Sequence, residues 1–299
     1  MLIRGCALRS SWTHVDRAVA VDFHVADCLF EFGFESLAFS VDDDRLTATN
    51  RKSLFWGSIA EMPNGLEPIP VQTVDEAIRT MERLDAGLPE SDGLKWFNFL
   101  YLSVTRAIQA RLNGDAMFFS DPVWINRLDV VFANLYFAAV SAAQDDPNTL
   151  PHAWRPLFGN RSKPGIARIQ YALAGMNAHI NRDLVVALLT IYGQDSEAPD
   201  RTSARFQDYR RVNDVLLQVE SQTRNILLVG TPLASDAPFA PLEDIIAMWS
   251  VRAARDAAWD HSQSLWRLRS VESIQAASLG ALDGLTELAS NGFLVRVLA

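Results

Sequence analysis

From about residue 73 to the C-terminus, apolar residues recur at steps of three and four, the period of a helix with one face turned inward. Thr73 followed by Glu76 predicts a capping box opening a helix that runs to about Ala86. The stretch "LPESDGLKWFNFLYLSVTRAIQARLNG" places Phe97, Leu100, Tyr101, Val104 and Ile108 at helical spacing and ends near Gly114. Asp121-Pro122 is a helix start, and "WINRLDVVFANLYFAAVSAA" follows it, broken by "DDPNTLP". A Pro-punctuated connection, "PHAWRPLFGNRSKPG", leaves room for one short helix. Further helices are expected over roughly residues 165–193, closed by Gly193, over "RTSARFQDYRRVNDVLLQVESQTRNILLV", over "DIIAMWSVRAARDAAWDHSQSLWRLR", and over "SIQAASLGALDGLTELASNG". "GTPLASDAPFAPLED" is expected to be loop.

Residues 1–70 read differently. "LAFSVDDDRLTATNRKSLFWGSI" mixes short β-prone runs with a polar turn, and "MPNGLEPIPVQ", with three Pro and one Gly, reads as a connector. The expected architecture is all-α: a multi-helix bundle over residues 71–299, with a small irregular or β-containing N-terminal appendage over 1–70.

The most informative stretch is "AGMNAHINRDLVVALL", Ala174 to Leu189. On a wheel, Leu173, Met176, Ile180, Leu184, Ala187 and Ile191 form one apolar stripe. Ala178, Val185 and Leu189 form a second sector, and little polar face remains beyond Arg182. Such a helix is buried. It nonetheless carries Asn177, His179, Asn181 and Asp183. His179 and Asp183 stand at i,i+4 on one flank, and Asn177 and Asn181 on the other. Buried polar groups left without partners cost about 1–3 kcal/mol each, so neighbouring helices are expected to supply them.

Several helices offer such residues. Arg252 and Asp256 fall in a stripe with Ile245, Trp249, Trp259, Gln263 and Trp266. Tyr209 and Asn213 share a face, with Asp208 beside it. Asn134 and Asp129 interrupt a helix apolar nearly all round, and Asn98 does the same in its own. The economical expectation is a polar centre between helices. His179 oriented by Asp183 would be a general base and Arg252, with Asp256, an anion clamp. Asn98, Asn134, Asn177, Asp208, Tyr209, Asn213, Trp249 and Trp259 would contact the substrate. A divalent metal on His179, Asp183, Asp208 and Asp256 is an alternative use of the same residues. A buried network that only fixes helix register is another.

Composition narrows the class. The chain of 299 residues is 49% hydrophobic and 21% charged, a globular balance long enough for a large core, and its eight Trp and sixteen Phe bring much apolar area. Net charge is -9. The densest basic stretch, Arg201 to Arg211, alternates with Asp and Phe, so no nucleic-acid partner is expected. Two cysteines, Cys6 and Cys28, are too few for a disulfide framework or a Cys-rich zinc site. The N-terminus lacks an apolar run of signal-peptide length, and no uninterrupted apolar stretch approaches the roughly 18 residues of a membrane span. A cytoplasmic protein acting on a small molecule is expected; oligomeric state is open. No nucleophile elbow and no phosphate-cradling Gly loop occur.

Together "LPESDGLKWFNFLYLSVT", "LDVVFANLYFAA", "PHAWRPLF", "ALAGMNAHINRDL", "DYRRVNDVL" and "MWSVRAARDAAWDHSQSLW" resemble a bacterial family of uncharacterised helical proteins, a domain of unknown function frequent in actinomycetes. The resemblance implies that these motifs belong together; it implies no activity. Members often carry His and Ala before the Asp-Tyr pair. "RFQDY" puts Phe206 and Gln207 there, so a metal site using that His would be incomplete in this chain. More locally, "GMNAHINRD" is similar to the Gly-x3-His-x3-Asp helix of the zinc-dependent phospholipase C and nuclease group. The expected function is an enzyme acting on a small, largely apolar molecule by hydrolysis or by acid/base-catalysed cyclisation or rearrangement, in a setting such as specialised metabolism. The alternatives are a metal-dependent hydrolase on the same residues and a non-catalytic binding or structural bundle.

Overall fold

A computed structural model describes residues 70–114, 117–229 and 250–296. The expected appendage over 1–70, with Cys6, Cys28 and most of the connector, lies outside the described residues, as do Trp249 and the loop expected after Val229. Among the described residues the secondary structure is helical, without strands. The helices are α1 (Val74–Gly87), α2 (Gly93–Gly114), α3 (Pro122–Asp145), α4 (Arg155–Asn160), α5 (Arg168–Ala178), α6 (Leu184–Asp195), α7 (Ala204–Leu227), α8 (Val251–Arg267) and α9 (Glu272–Phe293). This is the all-α bundle the periodicity predicts.

Local chemistry sets most boundaries. Thr73 Oγ1 accepts from the Glu76 N–H and the Glu76 carboxylate accepts from Thr73 N–H, the reciprocal cap expected at α1. Asp121 caps α3 by accepting from Trp124 N–H, with Pro122 at the first position, where a missing N–H costs nothing. One end differs from expectation: α6 runs past Gly193 to Asp195. Ser196 takes the left-handed conformation, φ 55°, and Glu197 N–H returns to the Tyr192 carbonyl. Gly193 can be passed because a helical glycine costs only about 1 kcal/mol against Ala.

The other difference matters more. α5 and α6 are one continuous helix interrupted by a π-helical turn, His179–Asp183. Leu184 N–H bonds the carbonyl of His179, five residues back rather than four. The segment is buried nearly throughout, as its sequence implies.

α3 is long and apolar enough to pass the length and composition test for a membrane span, with a mean hydropathy of 1.3 over its best window; 56% of that window is buried inside the bundle. The run is not uninterrupted, as expected: Asn126, Arg127, Asp129 and Asn134 fall within it. Its apolar character goes with its place in the core, where Trp124, Ile125, Leu128, Ala133, Tyr136, Phe137, Ala139 and Val140 are buried.

Two close approaches fix the bundle centre. A Cβ placed on Gly175 would stand 2.3 Å from Phe97 Cγ, and one on Gly93 would stand 2.3 Å from the Tyr171 ring. Gly175 thus lets α5 settle on α2 one turn before the π turn. Phe97 in turn meets Tyr136 of α3 edge-on at 5.0 Å and Trp154 at 5.2 Å.

Candidate functional site

The π turn delivers His179 and Asp183 into this aromatic centre. His179 Nδ1 lies 3.0 Å from Asp183 Oδ2, which also accepts from Trp154 Nε1 at 2.9 Å. Asp183 Oδ1 accepts from Arg182 at 2.7 Å. Both carboxylate oxygens are therefore occupied. Burial alone would push the Asp183 carboxyl up; the His179 hydrogen bond and the Arg182 charge outweigh it and hold it below the ordinary carboxylate value. An ionised Asp183 fixes the imidazole tautomer, with Nδ1–H donating and Nε2 left as the acceptor.

That Nε2 is buried and has no hydrogen-bond partner among the described residues. The ring is stacked on Phe132, centroids 3.5 Å apart and 7° from parallel, and meets Tyr101 edge-on at 4.5 Å. Burial lowers the His179 pKa, and Asp183 only partly restores it, so the imidazole is neutral at neutral pH.

Nε2 is not the only such atom. His179 lines a cavity of about 70 Å³ whose walls are almost entirely apolar, from Phe97 and Leu100 to Val212 and Leu216. Two other side chains in its lining carry buried atoms without partners: Tyr101 Oη and Asp129 Oδ2. Burial, and then the charge of Asp129, raises the Tyr101 phenol well above its usual value; the Thr105 side chain offsets part of this. Burial pushes the Asp129 carboxyl up to about 7. Three unpartnered polar groups on one apolar cavity thus comprise a neutral acceptor, a neutral donor, and an acid that titrates near neutral pH. Buried polar groups are nearly always bonded, so three exceptions at one place point to a ligand.

Of the other nominated residues Tyr209 also lines the cavity, and the rest are placed elsewhere. Asn98 donates to the Met81 carbonyl and accepts from Tyr136 Oη. Asn134 exchanges two hydrogen bonds with the Val71 backbone. Asn177 ties α5 to α9 through the Thr286 carbonyl and Ser290, and Asn181 donates to Asn177. Asp208 accepts from the N–H groups of Ser120 and Asp121 and from Arg211. All but Asn181 join two segments, and none of the five lines the cavity. Trp259 is buried among Tyr192, Phe206 and Tyr209, also away from it. Trp249 lies outside the described residues.

On α8 the nominated clamp is corrected. Arg252 is exposed, Asp256 is half-buried, and neither lines the cavity. The buried cation is Arg255, which does line it, bonding Asn213 Oδ1 at 2.9 Å and the Tyr209 carbonyl at 2.7 Å; Tyr209 Oη donates back to the Arg255 carbonyl. The buried face of α8 is set by Arg255, Ala258, Trp259, Ser262 and Leu265. The tryptophan spacing suggested a stripe rotated by most of a residue, because Trp266 is only partly buried.

The four-ligand metal set is not assembled. His179 and Asp183 meet, but Asp208 is spent on backbone N–H groups and Asp256 stands apart. Among the described residues no three His, Cys, Asp or Glu side chains gather as a metal-holding group. The residues that sequence reasoning passed over are Tyr101, Trp154 and Arg255; Asp129 counts there among the core polar residues but is given no role in the site. Asp129 had a signal, a lone carboxylate inside "RLDVVFANLYFAAV"; Tyr101 had none, since a tyrosine at core spacing reads as core.

The fold and site define an all-α protein with a buried His–Asp pair opening on an apolar inter-helix cavity. A model for a family of unknown function, DUF5995, matches residues 74–295, and the chain belongs to that family. No curated protein and no solved structure matches it.

Proposed function

We propose that the protein is an enzyme that binds a small, largely apolar molecule in this cavity and rearranges or cyclises it by proton transfer. The supporting observation is the convergence of His179 Nε2, Tyr101 Oη and Asp129 Oδ2, all without partners, on one apolar cavity. His179, oriented by Asp183, accepts a proton from the ligand. Tyr101 donates to the oxygen on which charge develops, as a buried phenol with a raised pKa does. Asp129, with a pKa of about 7, is matched to taking up or releasing a proton at neutral pH. Rearrangement is favoured over hydrolysis because the remaining walls offer little to orient a water. An acidic chain of net charge -9 suits a small-molecule enzyme of the cytoplasm better than a nucleic-acid partner.

The test is incubation of purified protein with a small-molecule extract, followed by mass spectrometry. The wild type is expected to consume an apolar compound that Asp129→Asn binds without converting and that Tyr101→Phe holds at least tenfold more weakly. Equal consumption by all three proteins would remove the acid/base assignment; binding without turnover by the wild type would make the protein a binder.

A further inference from the structure

Of the 22 residues of α9 only Thr286 and Ser290 are buried. The inner side of the helix is fully engaged. Asn177 bonds the Thr286 carbonyl and Ser290, and Asp283 accepts from the N–H groups of His152 and Ala153. Glu287 meets the His152 ring at 3.0 Å. Between Ser273 and Phe293 these two carboxylates are the only charges, so the outer side carries none. It is also apolar. Among the described residues ten large hydrophobic side chains are exposed, and five of them fall here: Val271, Ile274, Leu285, Leu288 and Val295, each 41–55% exposed. Such a patch marks an interaction surface.

The spacing fits a helical partner. Ile274, Ser278, Ala281, Leu285, Leu288 and Gly292 follow at alternating steps of four and three, the period of a two-helix seam. All are exposed except the half-buried Ser278. The small residues answer no need within the chain. A Cβ on Gly292, or on Gly284 beside the seam, would meet nothing within 4 Å, although glycine weakens a helix. Their order identifies the partner. Reversed about residue 283, every seam position falls on another seam position: 285 on 281, 288 on 278, 274 on 292. In an antiparallel pair of α9 helices, Leu285 of each copy therefore faces Ala281 of the other, Leu288 faces Ser278, and Ile274 faces Gly292. Each large residue meets a small one, as interdigitating helices require. Val271 meets Val295 just beyond the helix ends. A patch that is its own complement is what a two-fold interface needs. An uncharged seam also lets a chain of net charge -9 meet itself without opposing like charges.

We propose that the outer face of α9 binds a second copy of this chain, the two helices antiparallel about a two-fold axis at the level of residue 283. The experiment is sedimentation velocity of the full chain over a concentration series. The wild type is expected to sediment as a dimer that dissociates on dilution. Leu285→Glu and Leu288→Glu each set a charge on the apolar seam and are expected to weaken the dimer at least about tenfold. Ala276→Glu, exposed on α9 but off the seam, is expected to leave it unchanged. Ala281→Leu is expected to weaken the dimer at least about tenfold by setting leucine against leucine. Combining it with Leu285→Ala makes large face small again and restores the wild-type dissociation constant. All five positions lie on the surface of the single chain, so the variants keep their fold, which circular dichroism checks. A chain that stays monomeric up to about 0.1 mM overturns the proposal and leaves the face to another molecule or to residues 1–69 of the same chain. A dimer indifferent to Leu285→Glu and Leu288→Glu overturns it too, because the copies then meet elsewhere. A double swap that fails to restore what Ala281→Leu loses overturns the antiparallel pairing.

Discussion

At Gly175 a single hydrogen in place of a methyl group decides how close two helices come. The Phe97 ring lies where a Cβ would be, 2.3 Å from its Cγ, and the ring is itself held by Tyr136 and Trp154. Gly175→Ala is therefore expected to lose about 1–3 kcal/mol of stability, the usual cost of overpacking, despite the better helix propensity of alanine. Denaturant unfolding checks this; a stabilised variant would show that α5 can move off α2. Asp183 is the second residue where one group sets several. Asp183→Asn leaves a site with donors from Trp154 and Arg182 but only a neutral acceptor, and the His179 tautomer is no longer fixed. The expected loss is about 3–5 kcal/mol, as for other buried charge pairs deprived of one partner, and the imidazole ¹⁵N shifts should no longer report a single Nδ1–H tautomer. The His179–Asp183 pairing was legible in the sequence, because two polar residues one turn apart inside a core helix have few other places to go. Their sealing by Trp154 was not, since that residue comes from a separate 3₁₀ turn, residues 152–154, whose docking no periodicity encodes.

Among elements, the π turn sets the site and Asp208 sets the frame. Helix spacing taken at 100° per residue carries no sign of the extra residue at His179–Asp183, so the wheel placed the α5 and α6 faces in one continuous phase. The π turn breaks that phase where the site lies, as such turns often do at functional sites. Sequence reading instead gathered every buried polar residue into one centre. In the molecule most of them serve as separate ties between helices, and His179, Tyr101 and Asp129, each with an atom left unpartnered, line the cavity. This distinction depends on which hydrogen bonds form, which pattern alone cannot settle. Asp208 is a charged tie. It takes the N–H groups of Ser120 and Asp121 at 2.9 and 2.6 Å and so clamps the start of α3 onto α7. Asp208→Ala is expected to cost about 2–4 kcal/mol, two charge-assisted bonds to groups that stay part-buried, while the His179 imidazole signals keep their chemical shifts. Altered shifts would place Asp208 in the site after all.

For the whole molecule, the site's titrating groups pull stability in opposite directions with pH. Asp129 has its folded pKa raised from 3.8 to about 7 by burial. Between about pH 4 and pH 7 the unfolded chain gives up this proton and the folded one keeps it, so the folded state binds more protons and stability falls as pH rises. The change approaches about 4 kcal/mol at most, from about three pK units at roughly 1.4 kcal/mol each. His179 and Asp183 act the other way, their folded pKa values being lowered. The unfolded chain protonates His179 first as pH falls below about 6.5, and Asp183 adds its share as pH falls through about 4. Stability is therefore lost toward both acid and alkaline pH. Asp129→Asn separates the two contributions, because it cannot ionise. The variant is expected to match the wild type near pH 4, to gain on it steadily through pH 7, and to hold a constant advantage above pH 8. Unfolding free energies of both proteins across pH 4–9 read this out as a difference, in which the His179 and Asp183 terms cancel. A difference independent of pH would mean that Asp129 keeps an ordinary carboxylate pKa in the folded protein, and the acid assigned to the cavity would be lost. A difference that grows as expected marks a carboxyl that the fold holds at a cost to its own stability, as active sites commonly do.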